Sequence, residues 1–257
     1  MNSQVGLRGT EDAEAGKTVG ELACRLCTAL DLNICLDSSA EACPSAKSRP
    51  IPIRQTGHSA PARRIICRGQ DLHDIVPVIC SGWAAAIVML SDGSRQIVSF
   101  LLPGDMISTT MLFDSKPYCL VEAITEVSFR TFNRTDLKSL IYKNPDLLDT
   151  FFKAWVEEKT RADQLIVDLG RRTADERIAR LILNLVDRLA KRDMVRGDPI
   201  EFEFPLRQHH IADATGLTPV HVSKVLTEFR RNGLINISER SITILDPVGF
   251  SRVANMR

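Results

Sequence analysis

Leu206-Arg207-Gln208-His209-His210-Ile211-Ala212-Asp213-Ala214-Thr215-Gly216-Leu217-Thr218-Pro219-Val220-His221-Val222-Ser223-Lys224-Val225-Leu226-Thr227-Glu228-Phe229-Arg230-Arg231-Asn232-Gly233-Leu234-Ile235 reads as two short helices around a tight turn. The first ends at Thr215, and Gly216 supplies the left-handed residue that lets the chain reverse. Thr218 is placed to cap the second helix, with Pro219 at its first position, where no amide donor is needed. Val222, Val225, Leu226 and Phe229 recur at i, i+3, i+4 and i+7, which makes one apolar stripe. Opposite it lie Val220, Ser223, Lys224, Thr227 and Arg231. A helix with a buried back and small or basic side chains in front suits a DNA major groove.

Periodicity alone would fit any helical hairpin, so the residues beyond the hairpin decide. After Gly233, Leu234–Ile237 and Ile242–Leu245 read as short strands around a turn at Ser238-Glu239-Arg240. The whole is a winged helix-turn-helix. Its candidate DNA contacts are Arg207, Thr218, Val220, His221, Ser223, Lys224, Thr227 and Arg231. Ser223 and Lys224 can donate to bases or phosphates; Val220 cannot accept from cytosine N4, but its methyls can meet a thymine methyl. His221 either faces a phosphate or packs beside the turn. The net charge is only +1, so the basic residues that matter are local: Arg207, Lys224, Arg230, Arg231 and Arg240 surround this unit.

Working back towards the N-terminus, Ala174–Arg192 is an amphipathic helix with Ile178, Leu181, Ile182, Leu185 and Leu189 inward, and Gly170-Arg171-Arg172 is a hinge before it. From Pro145 a long helix places Phe151, Trp155, Glu158, Ala162, Leu165 and Leu169 at alternating steps of four and three, a coiled-coil seam with only Glu158 charged. Phe152 and Ile166 would supply another face. Asp136–Tyr142 is a short helix closed by Asn144-Pro145. Between Arg64 and Asn133 the pattern is of short apolar runs, a β-sandwich or roll, with strands at Arg64–Cys67, Val76–Cys80, Ala84–Leu90, Arg95–Leu102, Leu120–Ala123 and Val127–Phe132. Ser81-Gly82, Asp92-Gly93 and Pro103-Gly104-Asp105 punctuate them.

The N-terminal part is different. Met1 to about Lys17 is polar and without periodicity, and Pro44–Pro61 has the composition of a linker. Between them sit four of the seven cysteines, Cys24, Cys27, Cys35 and Cys43. A chain of this size without a signal core does not need disulfides, so clustered thiols suggest metal or redox chemistry. Cys67 and Cys80 fall in apolar strand contexts and read as core. No apolar run reaches the length of a membrane span, and the expected location is the cytoplasm. An enzyme reading would lean on His209, His210 and His221. Adjacent helical residues point about 100° apart, so the first two do not chelate together. No acidic third ligand or nucleophile elbow accompanies them, and the expectation is a non-enzyme. A redox module without DNA would leave the wing and the basic face unexplained.

Roll, long helix, hinge and winged helix-turn-helix, in that order, resemble the CRP/FNR transcription regulators from about Arg64 to Ile244. The segments that carry the likeness are Gly104-Asp105, Asp175-Glu176-Arg177-Ile178-Ala179 and Ile211–Ile235. The resemblance implies an α+β chain in four parts. These are a cysteine-containing segment and linker (1–62), a cyclic-nucleotide-binding-like β-roll (63–143), a dimerisation helix (144–170) and a winged helix-turn-helix (171–257). It implies a homodimer on a palindromic double-stranded DNA site, with RNA polymerase as a further partner, and no membrane.

In the cyclic-AMP branch a Gly-Glu pair and an Arg-Ser/Thr-Ala run hold the nucleotide phosphate. Here Gly104-Asp105 precedes Met106-Ile107-Ser108, and the strand reads Tyr118-Cys119-Leu120-Val121-Glu122-Ala123, which argues against a cyclic nucleotide. Cys24-x2-Cys27-x7-Cys35 is similar to the FNR branch, where three such cysteines and one from the roll hold an oxygen-sensing [4Fe–4S] cluster. The family's fourth cysteine falls on Arg130; Cys43, Cys67, Cys80 or Cys119 would substitute. Zinc or thiol oxidation at the same residues, or no cofactor, stays open. The reading helix departs too: the branch's Glu-x-x-Ser-Arg is Val220, Ser223 and Lys224 here.

Overall fold

A computed structural model of the chain describes residues 55–68, 74–113 and 119–255. Cys24, Cys27, Cys35 and Cys43 lie outside them. The chain divides into two compact units, one holding the described residues of 1–86 and 100–156, the other 87–99 and 157–255.

The first unit carries a three-stranded sheet in the order β1-β7-β3, with β1 at Gln55–Ala60, β3 at Ile75–Ser81 and β7 at Val127–Asn133. β2 (Ile65–Cys67), β4 (Ala84–Met89), β5 (Arg95–Leu101) and β6 (Leu120–Ala123) form a four-stranded sheet ordered β2-β6-β4-β5. Ile79, Ala84, Leu101, Met111, Val121, Val127 and Phe129 fill the core between strands. Gly82 has φ +78° and meets the carbonyl of Glu126 so closely that a Cβ would lie 2.0 Å from it, so the Ser81-Gly82 turn requires glycine.

β1 corrects the sequence reading, which places these residues in a linker ending at 62. Gln-Thr-Gly-His-Ser-Ala has no apolar alternation; it is a strand because its backbone pairs antiparallel with β7, Gln55 opposite Phe132 through Ala60 opposite Val127.

Helix α1 (Arg134–Lys143) starts on Asn133, whose side chain accepts from the Asp136 amide at 3.1 Å. α2 (Pro145–Arg171) runs through Gly170, so the break falls at Arg172-Thr173. Phe151 is 3% exposed and belongs to an apolar cluster with Val76, Leu112, Phe132, Leu137 and Ile141. It is therefore core of its own chain, not a seam residue.

In the second unit α3 (Ala174–Ala190) opens with a capping box. The Thr173 amide donates to Glu176 Oε2 at 2.8 Å and the Glu176 amide donates to Thr173 Oγ1 at 3.4 Å. The Thr173 amide, ahead of hydrogen bonds from Asn255 and Thr173 Oγ1 and the charge of Arg172, holds the Glu176 carboxyl below its ordinary value. Ile178, Ile182, Leu185 and Leu189 of α3 are buried; Leu181 is half-buried. Against them pack α4 (Gln208–Thr215) and α5 (Pro219–Arg231), which carry Ile211, Val222, Val225, Leu226 and Phe229. The wing is β9 (Ile235–Ser238) and β10 (Ser241–Ile244), with β8 (Ile200–Glu203) added to the far edge of β10. α6 (Pro247–Val253) starts on Asp246, which accepts from the Gly249 amide, and seats Phe250 edge-on against Phe229 at 5.4 Å. No helix of the described residues is long and apolar enough to cross a membrane.

Candidate nucleic-acid interface

The turn between α4 and α5 is built as its residues require. Gly216 ends α4 at φ +65°, and its amide donates to the Ala212 carbonyl. Thr218 Oγ1 accepts from the His221 amide at 3.2 Å, which fixes the start of α5 and leaves the hydroxyl hydrogen to donate outward. With Val222, Val225, Leu226 and Phe229 buried, the opposite face of α5 is presented to solvent. Val220, Ser223, Lys224, Thr227 and Arg231 line one open groove, together with Gln208, Pro219 and Glu228. Thr227 Oγ1 donates to the Ser223 carbonyl at 2.8 Å, so its methyl group and its oxygen lone pairs are what remain for a ligand. Arg231 pairs with Glu228 at 3.5 Å.

Arg207 lines a neighbouring concavity with His209 and Arg230, on the side of α5 nearer the start of α4. Gln208, the first residue of α4, is not among the contacts expected from sequence, and Arg230, expected only as one of the surrounding basic residues, lines the concavity beside it. His221 is exposed rather than packed against the turn. His210 is buried and its Nδ1 accepts from the Arg207 amide at 3.1 Å, a cap for the first turn of α4.

The last carbonyls of α4 have no helical donors, and side chains from elsewhere in the same unit supply them. Arg177 Nη1 donates to the Thr215 carbonyl at 3.1 Å and its Nε to the Arg172 carbonyl at 2.9 Å. Gln96 Nε2 donates to the Ala214 carbonyl at 3.3 Å, and Arg95 pairs with Asp213 at 3.6 Å. Leu169 lies against Gly216, where a Cβ would sit 3.3 Å from its Cδ2. Arg180 and Arg172 both reach Asp168, at 2.7 and 3.0 Å. Leu169 is thus half-buried, one side of it against Gly216 of its own chain.

The outward apolar face of α2 shares Trp155 with the expected seam and extends around the helix from it. Phe152, Trp155, Val156, Ile166 and Val167 are exposed, with a Lys159–Asp163 ion pair between the two groups. By helix geometry this face is turned roughly 100° from the line through Phe151, Glu158, Leu165 and Leu169. Glu158 and Leu165 are half-buried, and Ala162 is exposed at the border.

Among the described cysteines, Cys67 and Cys119 are buried. Cys80 is only partly so, contrary to the core reading, because the β3–β7 register breaks between Ile79 and Ser81 and turns it aside. Its neighbour is Arg130. Burial pushes the Cys80 thiol up, while the Arg130 charge and hydrogen bonds from Arg130 oppose that. Among the described residues no group of three or more His, Cys, Asp or Glu is placed to hold a metal.

Comparison with known proteins matches residues 176–253 to the Crp-like helix-turn-helix domain and 58–144 to the cyclic nucleotide-binding domain. The nitrogen fixation regulation protein FixK of Rhizobium meliloti (strain 1021) is 32% identical over 196 residues, spanning 76% of this chain and 85% of that one. The chain belongs to the CRP/FNR family of DNA-binding transcription regulators. Another CRP/FNR relative, the transcriptional activator protein FnrA of Stutzerimonas stutzeri, is 28% identical over 232 residues, 89% of this chain and 88% of that protein. The structure of FixK2 from Bradyrhizobium japonicum shares the CRP/FNR fold, with a TM-score of 0.67 at 24% identity over 79% of this chain and 98% of that one.

Proposed function

We propose that this regulator binds a two-fold symmetric DNA site as a homodimer, reading bases from the groove face of α5, under control of a redox signal at its cysteines. The observation that carries the DNA reading is the single outward face that gathers Val220, Ser223, Lys224, Thr227 and Arg231. Arg207 and Arg230 flank that face, Thr218 and His221 lie at its entrance, and Arg240 extends from the wing turn, positions suited to phosphates. Lys224→Ala weakens specific binding by about 1–3 kcal/mol and relaxes preference at one base pair, as expected for a base contact. Arg231→Ala lowers affinity for all sequences and flattens the salt dependence. Gel shifts on selected and scrambled duplexes at several salt concentrations check both. An unchanged site preference in Lys224→Ala would reduce Lys224 to a phosphate contact.

For the signal, the family resemblance points to an iron–sulfur cluster, which would supply oxygen-labile chemistry. Soft thiolates are the donors such a group takes. Cys24, Cys27 and Cys35 would provide three; of the candidates for the fourth, Cys80 has in its favour that it neighbours Arg130, where the family's fourth cysteine falls. The FnrA alignment takes in so much of the chain that it includes part of residues 1–54, which supports this reading. Zinc or direct thiol oxidation would use the same residues. In the roll, Asp105 Oδ2 accepts from the Leu102 amide at 2.8 Å, so this carboxylate closes its own turn, which supports a signal other than a cyclic nucleotide.

A further inference from the structure

On the reading that α5 enters a major groove, we propose that Val220 is a specificity-determining residue that selects a T·A pair by contact with the thymine 5-methyl group. Val220 is 68% exposed and is the one large apolar side chain that α5 leaves open. A lone exposed valine is ordinary on a protein surface; its company here is not. It stands at the second position of the helix, directly after the Thr218 cap and Pro219, so its backbone is fixed by the His221 amide bond to Thr218 Oγ1. Being β-branched, it holds few χ1 states and presents its two methyls in a set direction. Lys224 and Thr227 follow at i+4 and i+7 on the same face, with Ser223 beside them.

The chemistry of that position is one-sided. Valine can neither accept from the cytosine N4 amine nor donate to purine N7, so a C·G pair opposite it loses water from polar edges without replacement. A thymine offers a methyl group that also prefers to leave water. The one carboxylate on this face, Glu228, lies two helical turns further on and pairs with Arg231, so it does not take over the acceptor role. Lys224, one turn from Val220, is the donor for guanine O6 and N7. A helical turn advances about 5.4 Å and stacked base pairs about 3.4 Å, so the guanine falls one or two steps from the thymine. The half-site this face fits therefore contains T and G at that separation.

The test uses the full-length protein and removes only the methyl. Randomised duplexes are selected on the wild-type chain, and each thymine of the selected half-site is then replaced by uracil, which keeps the base pairing. At one thymine the replacement, made in a single half-site, weakens wild-type binding by about fourfold, the effect of one buried methyl. In Val220→Ala that thymine-to-uracil difference disappears, whereas Val220→Thr, which keeps one methyl, retains part of it. At the same thymine, 5-methylcytosine in a C·G pair binds better than cytosine. Equal thymine-to-uracil losses in wild type and Val220→Ala, or no loss at any thymine, would overturn the assignment and leave the DNA reading standing. Failure of the wild-type chain to select any duplex would overturn the DNA reading itself.

Discussion

Replacing Ile166 with glutamate yields a folded monomer whose affinity for a two-half-site operator is lower by at least about a hundredfold, while affinity for one isolated half-site is unchanged. Ile166 is 70% exposed, so the substitution removes no packing within the chain and folding survives. Its face of α2 also carries Phe152, Trp155, Val156 and Val167, five large apolar side chains in solvent on a single helix. Such a row is what an association surface would present, and the expected result rests on that. In a parallel pair the two copies of residue 166 would approach each other across the two-fold axis, so glutamate adds like-charge repulsion to the lost burial. The DNA consequence is one of linkage: tying two reading helices about 34 Å apart makes the second half-site contact intramolecular, a gain of 10²–10⁴ that a monomer forfeits. Sedimentation and gel shifts on whole and half operators check it. A dimer that persists, or an unchanged whole-operator affinity, would remove this face from the assembly.

That surface also shows where sequence reading stops. The four-three spacing of Phe151, Trp155, Glu158, Ala162, Leu165 and Leu169 is real, but periodicity does not say what an apolar stripe packs against. Phe151 is taken up by the roll core of its own chain, whereas Trp155 of the same stripe is exposed and borders a wider apolar row with Phe152, Val156, Ile166 and Val167. The helix-turn-helix is legible nearly residue for residue because local chemistry determines it: Gly216 at positive φ, the Thr218 cap and Pro219 at the first helical position each act within a turn of their own place. Asp246-Pro247 carries the same signal for α6, a helix that the hydrophobic pattern alone does not announce. β1 has no such signal; polar and short, it is a strand because β7 offers an edge, whereas β8 carries a legible four-residue alternation, Ile200-Glu201-Phe202-Glu203, that the strands expected from sequence leave out. The contacts that satisfy the end of α4 are out of reach, since Gln96 and Ala214 stand 118 residues apart and nothing in either neighbourhood names the other.

The second large effect is expected at the cysteines. Cys24→Ser with Cys27→Ser, purified without oxygen, holds no iron or acid-labile sulfide, and its DNA affinity equals that of the air-exposed parent and no longer responds to air. Serine keeps the size of the side chain and removes the soft thiolate that iron–sulfur chemistry requires, so the change isolates ligation from packing. Cys80→Ser is expected to lower the iron content too. Cys67→Ser is not, because Cys67 is buried among Ile66, Ile79, Val121 and Phe129, away from any open face. The pattern across these variants separates the alternatives. Stoichiometric zinc in the parent, absent from the double variant, would keep the same thiols and change the metal. A parent free of metal whose air sensitivity still disappears in Cys24→Ser, Cys27→Ser would indicate thiol oxidation, as these two residues lie close enough in sequence to form a disulfide. Equal iron content and equal air sensitivity in parent and double variant would end the cysteine hypothesis, and the signal would then have to be sought in the roll.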